Sequence, residues 1–88
     1  MRQSGIIRQL DQQHISESGR VLDDVKSIGA SIRRARKAAG ITQDILADLI
    51  GTSARTVHAI ETGTGNPSLL TVAAAANAVG LRLRASDD

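Results

Sequence analysis

The chain has 88 residues, a formal net charge of +2, and neither cysteine nor any aromatic residue. One small domain with an aliphatic core is therefore expected, and disulfides, thiolate metal sites and cysteine nucleophiles are excluded. The lack of aromatic rings also argues against binding single-stranded nucleic acid by base stacking.

Residues 1–20 carry few structural signals. Ile6, Ile7 and Leu10 fit one helical turn or a short strand, and a polar run that includes His14 follows them. A short apolar cluster beside a polar run is a weak basis for a packed element of its own. We interpret residues 1–20 as a partly disordered N-terminal tail and residues 21–88 as the folded domain.

A stripe of apolar residues indicates the first helix of the domain. An apolar residue recurs every three or four positions, as on one face of an amphipathic helix, at Val21, Val25, Ile28, Ile32, Ala35 and Ala39. The helix is predicted to begin near Val21 or at Ser27, which is a suitable N-cap. Gly40 is predicted to end it.

Residues 42–63 predict two short helices joined by a tight turn. Thr42 can cap the second helix of the chain, Gly51 suits the C-terminal cap of that helix, and Thr52 or Ser53 can cap the third. The inward positions are predicted to be Leu46, Ala47, Ile50, Val57 and Ile60. An alanine, a glycine four residues later and a β-branched residue six after that are typical of a helix-turn-helix unit. The second helix of such a unit enters the major groove of DNA.

The fourth helix is predicted between two clear boundaries. Ser68 follows a loop of sequence TGNP and can cap the helix, and Gly80 closes it. The inward residues are predicted to be Leu69, Val72, Ala73, Ala76 and Val79. Leucine and arginine then alternate, as in a strand, and a lone strand cannot satisfy its own backbone. We therefore expect a second copy of the chain to pair with a dimer strand formed by Leu81, Arg82, Leu83 and Arg84.

The run from residue 28 to residue 83 resembles the Xre/Cro-type helix-turn-helix domains known from phage repressors. The matching pieces are IRRARKAAGITQ (32–43), LADLIGTSARTVHAIETG (46–63) and NPSLLTVAAAANAVG (66–80). The terminal strand is most similar to that of the HipB-like antitoxins, in which the strands of two subunits pair. The resemblance implies an all-α fold, a compact domain of four to five helices that dimerises through its C-terminal strand.

The resemblance also implies which residues contact DNA. The positions that match base-reading residues of the third helix are Ser53, Ala54, Arg55 and His58. The positions assigned to backbone phosphates are Thr42, Gln43 and Thr56. The guanidinium of Arg55 has the strongest chemistry, because it can bond O6 and N7 of guanine together. For His58, an exposed histidine without a role is an equal alternative.

Charged residues elsewhere have simpler interpretations. Arg36 and Glu61 match a family pair that forms a salt bridge beneath the recognition helix, which implies a positioning role. Arg33, Arg34 and Lys37 on the first helix are interpreted as a solvated face, with contact to DNA phosphates as the alternative.

Two features depart from the family pattern. Ile45 and Leu49 form an apolar stripe on the outer face of the second helix, where polar residues are usual, and Leu70 can extend it. The N-terminal 20 residues have no counterpart in the minimal domain. We interpret the stripe as the binding surface for a toxin, and the alternative occupant is the apolar part of the tail, Ile6, Ile7 and Leu10.

Three functions are consistent with these residues. The expected one is an antitoxin that neutralises a HipA-like toxin kinase and, as a homodimer on an inverted-repeat operator in double-stranded DNA, represses its own operon. The alternatives are a free-standing Xre-type repressor and a protein-interaction module that does not bind DNA. No catalytic set, metal site or cofactor site is predicted, so an enzyme is not expected. No apolar run reaches the ~20 residues of a membrane span, and a cytoplasmic protein is expected.

Overall fold

The computed structural model describes residues 2–87, with side chains described from residue 19 onwards. Four helices follow one another: α1 (Arg2–Ala38), α2 (Gln43–Ile50), α3 (Ala54–Thr62) and α4 (Leu69–Ala78). The predicted all-α class is confirmed. No helix in this described part is long and apolar enough to cross a membrane.

The first helix, α1, is much longer than predicted. It begins at Arg2, before both Val21 and Ser27, and at ~1.5 Å per residue it accounts for the 58 Å length of the molecule. Both predicted starts were wrong because no residue before them stops a helix. That stretch contains no proline, and a glycine in a helix costs only about 1 kcal/mol. The side chains of Ile6, Ile7, Leu10 and His14 lie outside the described residues, so the interpretation of residues 1–20 as a tail stays a prediction.

Local hydrogen bonds explain where the three short helices begin and end. In the first turn of each short helix, one backbone N–H donates a hydrogen bond to the hydroxyl of the capping residue. The capping residues are Thr42 for α2, Ser53 for α3 and Ser68 for α4. Gly51, the C-cap of α2, has φ 71° and ψ 37°, a left-handed conformation that glycine adopts without steric cost. The predicted caps Thr42, Gly51 and Ser68 are therefore confirmed, and Ser53 rather than Thr52 caps α3. The C-cap of α4 is Val79, one residue before the predicted Gly80.

The hydrophobic core lies where the four helices meet. It consists of small and aliphatic side chains, Ile32, Leu46, Ala47, Val57, Ile60, Ala75 and Ala76. Six half-buried apolar residues pack against this core: Ile41, Ile50, Val72, Val79, Leu81 and Leu83. Because no aromatic ring fills space, the helices approach closely, and Ala47 on α2 is 2% exposed.

The apolar stripe of α1 is buried only at its C-terminal end. Val21, Val25 and Ile28 are 59%, 43% and 36% exposed, whereas Ile32 is 1% exposed. This difference arises because α1 packs on α3 around Gly29, and the residues before that crossing extend past most of the domain. An amphipathic pattern thus continues beyond the part of α1 that the single chain can cover.

The faces of α4 differ from the prediction at two positions. Leu69, predicted to face inwards, is 75% exposed, and Ala75, which was not predicted, is fully buried. The sequence LLTVAAAANA is apolar on nearly every side of the helix. The spacing of its apolar residues therefore does not distinguish an inner from an outer face.

The C-terminal segment alternates in burial without forming a strand. Leu81 and Leu83 pack on the core, and Arg82 and Arg84 are exposed, as their alternation predicted. No strand is present between residues 2 and 87 of the single chain. The strand was predicted to form only against a second copy of the chain, and one chain has no strand beside this segment to bond with. Its pairing across a dimer stays a prediction.

Candidate nucleic-acid interface

The α2–turn–α3 unit is compact. After the left-handed turn at Gly51, the backbone N–H of Thr52 donates to the carbonyl of Ala47 over 2.9 Å, which closes the end of α2. Ser53 then starts α3. With Leu46 and Val57 both fully buried, the two helices share one rigid core.

Two faces of α3 have opposite character. Its inner face buries Val57, Ile60 and Glu61. On its outer side, Arg55 and His58 are exposed and Ala54 is half-buried. Arg55 has no ion pair among residues 19–87, so its guanidinium remains available to a ligand.

The hydroxyl groups at the start of α3 are already engaged with each other. Ser53 Oγ accepts from the backbone N–H of Thr56 over 3.2 Å and lies 3.0 Å from Thr56 Oγ1. Thr42 has the same capping role in α2, where it accepts from the N–H of Ile45 over 3.1 Å. These three side chains thus define the helix N-termini, whose amide groups favour a phosphate.

Arg36 and Glu61 are brought together as a buried, bidentate ion pair. Arg36 Nε donates to Glu61 Oε2 over 2.6 Å, and Arg36 Nη2 donates to Oε1 over 3.0 Å. A further Arg36 nitrogen donates to the carbonyl of Ile41 over 2.9 Å. The side chain of Glu61 is 1% exposed. The pair fixes α3 against α1.

Gln43 joins this pair, which the sequence analysis missed. Its Nε2 donates to Glu61 Oε1 over 3.1 Å, so the first residue of α2 is tied to α1 and α3. No spacing signal in the sequence connects residues 43 and 61, because they meet only after α2 packs on α3. The amide of Gln43, assigned above to a phosphate, therefore has at least one structural bond.

Burial and hydrogen bonding oppose each other at Glu61. Burial tends to raise the pKa of its carboxyl, but hydrogen bonds from Arg36 and Gln43, together with the charges of Arg36 and Arg33, lower the pKa below its ordinary value. The hydrogen bond with Glu61 likewise raises the pKa of Arg36. Both groups are charged at neutral pH, and the ion pair is intact there.

A surface depression of about 300 Å³ lies between α1, α2 and α3. Its walls are formed by Arg33, Arg36, Gln43, His58, Glu61 and Thr62. His58 thus faces a polar recess that borders the outer side of α3. No cluster of three His, Cys, Asp or Glu side chains suited to a metal ion occurs within the described residues.

Gly29 is a second position that the sequence analysis missed. A methyl group at Gly29 would overlap the carbonyl oxygen of Ile60 and lie 2.9 Å from that of Glu61. The backbones of α1 and α3 therefore touch where they cross. A glycine inside an apolar helical pattern, three residues before the buried Ile32, was the available signal.

The apolar stripe on α2 faces solvent. Ile45 and Leu49 are 45% and 64% exposed, and Leu70 at the start of α4 is 81% exposed. None of the three contributes to the core of the single chain. The structure thus leaves these side chains available for a partner.

Comparison with known proteins places this geometry in a family. The sequence profile of the family described as Helix-turn-helix matches residues 32–85. The crystal structure of the restriction-modification controller protein C.AhdI from Aeromonas hydrophila is similar, with a TM-score of 0.61 and 31% sequence identity. The match covers 69% of this chain and 88% of C.AhdI. A comparison with curated proteins finds no match. The chain belongs to the Xre-type helix-turn-helix family of DNA-binding transcription regulators.

Proposed function

We propose that this chain represses transcription as a homodimer, by placing α3 in the major groove at each half of an inverted-repeat operator. The observation that carries the proposal is the outer face of α3. Arg55 stands there exposed and unpaired among the described residues, on a helix whose inner face is locked by the core and by the Arg36–Glu61 pair. A rigidly held helix with an available guanidinium suits direct reading of guanine.

A dimer is proposed because one α3 reads only a few base pairs. Two recognition helices related by a twofold axis reach successive major grooves when they lie about 34 Å apart. Residues 81–84 are the proposed pairing segment, since Leu81 and Leu83 already rest on the core and its backbone forms no strand within one chain. The similarity to a protein named a controller supports a role in regulation.

The variant Arg55→Ala is expected to relax the base preference at one base pair in each half-site, by about 1–3 kcal/mol, because alanine cannot make the bidentate hydrogen bonds to guanine. The preference is measured by selecting duplexes from a random library with wild type and variant and comparing the two recovered motifs.

Gln43→Ala provides the contrast for this measurement. Its proposed contact is to the DNA backbone, and its bond to Glu61 supports the position of α3 without touching a base, so this variant should weaken binding to all duplexes alike and leave the selected motif unchanged. An Arg55→Ala motif identical to that of wild type contradicts the assignment of Arg55 as a base reader.

A role as an antitoxin is the second candidate, and the apolar stripe on α2 favours it. Ile45 and Leu49 are one turn apart and both exposed, on a face of α2 that the core does not cover. The proposed occupant is a HipA-like toxin kinase. A protein-interaction module without DNA binding is disfavoured by the exposed guanidinium of Arg55 on α3.

The double variant Ile45→Glu with Leu49→Lys tests the antitoxin role. Because both side chains lie outside the core, folding and operator binding should be retained, whereas co-purification with the product of an adjacent HipA-like reading frame should be lost. Asp48→Ala, an exposed change on the same helix, is the matched control and should retain co-purification. Retained co-purification of the double variant assigns the toxin to another surface.

A further inference from the structure

One flank of α1 runs alongside the recognition helix. Arg33 on α1 shares the surface depression with His58 and Thr62 of α3. Lys26, seven residues earlier and so on the same side of the helix, lies against the C-terminal end of α3. There a methyl group added at Gly63 would be 3.0 Å from the Lys26 Cα. This flank therefore follows α3 and borders its outer face.

Lys37 extends the flank in the other direction. It lies four residues after Arg33, one helical turn away, and both side chains are exposed. Arg34 differs from these two residues. It lies about 100° round the helix from Arg33 and about 60° from Lys37, and its guanidinium donates to Ser31 Oγ over 3.1 Å. The basic cluster of α1 is thus divided into two sides, of which only one adjoins α3.

The cations on this flank form no ion pair within the described residues, although the charge of Arg33 also acts on Glu61. Arg33 and Lys37 have no ion pair between residues 19 and 87. The nearby carboxylate of Glu61 is already bonded by Arg36 and Gln43. Two exposed cations without an ion-pair partner among the described residues, beside the proposed DNA-binding face, suit a phosphate backbone.

We propose that Arg33 and Lys37 bind phosphates of the DNA strand that borders the groove occupied by α3. The contact is independent of base sequence. It adds affinity and fixes the angle at which α3 enters the groove, while Arg55 supplies the sequence preference. This inference rests on the proposed DNA-binding function and names an additional surface for it.

The test compares Arg33→Gln, Lys37→Gln and their double variant with wild type in the full-length dimer. The matched control is Arg34→Gln, which removes the same charge from the same helix on the side away from α3. Dissociation constants are measured by fluorescence anisotropy across a series of KCl concentrations. Two duplexes of equal length are used, one selected by the wild-type protein from a random library and one unrelated.

Each single variant at residues 33 and 37 should reduce the slope of log Kd against log [KCl] by about 0.9 for each phosphate that the protein no longer binds, hence by about 2 in a dimer. The double variant should reduce it by about 4. The two duplexes should lose affinity by the same factor, and Arg34→Gln should keep the wild-type slope.

Slopes equal to wild type in the Arg33 and Lys37 variants overturn the proposal, as does an equal reduction in Arg34→Gln. If wild type binds both duplexes equally well and the Arg33 and Lys37 variants still reduce the salt slope, the phosphate contact is supported and the sequence-specific repressor is refuted. If wild type binds no duplex at any salt concentration, both proposals are refuted.

Discussion

The variant Glu61→Gln is expected to lose about 3–5 kcal/mol of unfolding free energy, because a neutral amide leaves the guanidinium of Arg36 buried without a counter-charge. The carboxylate of Glu61 is 1% exposed and accepts bonds from both Arg36 and Gln43. The loss is measured by urea unfolding followed by circular dichroism, at a fixed protein concentration because a dimer's stability depends on it.

Two further variants show whether the loss in Glu61→Gln comes from the unpaired charge of Arg36. Arg36→Gln combined with Glu61→Gln should be more stable than Glu61→Gln alone, since no unpaired charge remains. Asp48→Asn removes an exposed carboxylate from α2 and should change stability by less than about 0.5 kcal/mol. A Glu61→Gln protein that unfolds like Asp48→Asn shows that the ion pair contributes little.

The same pair gives the stability a defined dependence on pH. Because the pKa of Glu61 is lowered in the folded state, its contribution is complete above the ordinary glutamate pKa of about 4.3. That contribution is lost as the pH falls through the lowered folded value. The wild-type unfolding free energy should therefore decrease on acidification below about pH 4.3, and by less in Glu61→Gln.

The variant Gly29→Ala is expected to destabilise the domain by roughly 1–3 kcal/mol or more, because its methyl group overlaps the backbone of α3. Neither helix backbone can yield as a flexible side chain would, so α1 and α3 must separate. Separation also displaces Arg36 from Glu61. Urea unfolding measures the loss, and binding to the selected duplex should weaken with it.

Gly19→Ala is a matched control within the same helix. Among the described residues, a methyl group at Gly19 meets no atom within 4 Å beyond the adjoining backbone of its own helix, so the higher helix propensity of alanine acts there. This variant should gain about 0.5–1 kcal/mol, the opposite sign to Gly29→Ala. If both variants are stabilised, α1 and α3 do not approach as closely as the structure shows.

The features that could be predicted from the sequence are those formed by residues close together in the chain. The hydroxyls of Thr42, Ser53 and Ser68 cap amide groups only three residues away, and Gly51 turns the chain at its own backbone. Each capping group and its partner lie within a few residues of each other, so the sequence alone identifies both. The inner and outer sides of α3 follow for the same reason, because its apolar residues repeat at helical period.

Tertiary packing decided the features that join distant parts of the chain. The meeting of Gln43 with Glu61 and the passage of Gly29 beside Ile60 depend on how helices cross, which their individual sequences do not encode. Packing on α3 also determined that α1 is covered at Ile32 but exposed at Val21. Packing also decided which of Arg33 and Arg34 adjoins α3, although their separation of about 100° round α1 follows from helix geometry alone.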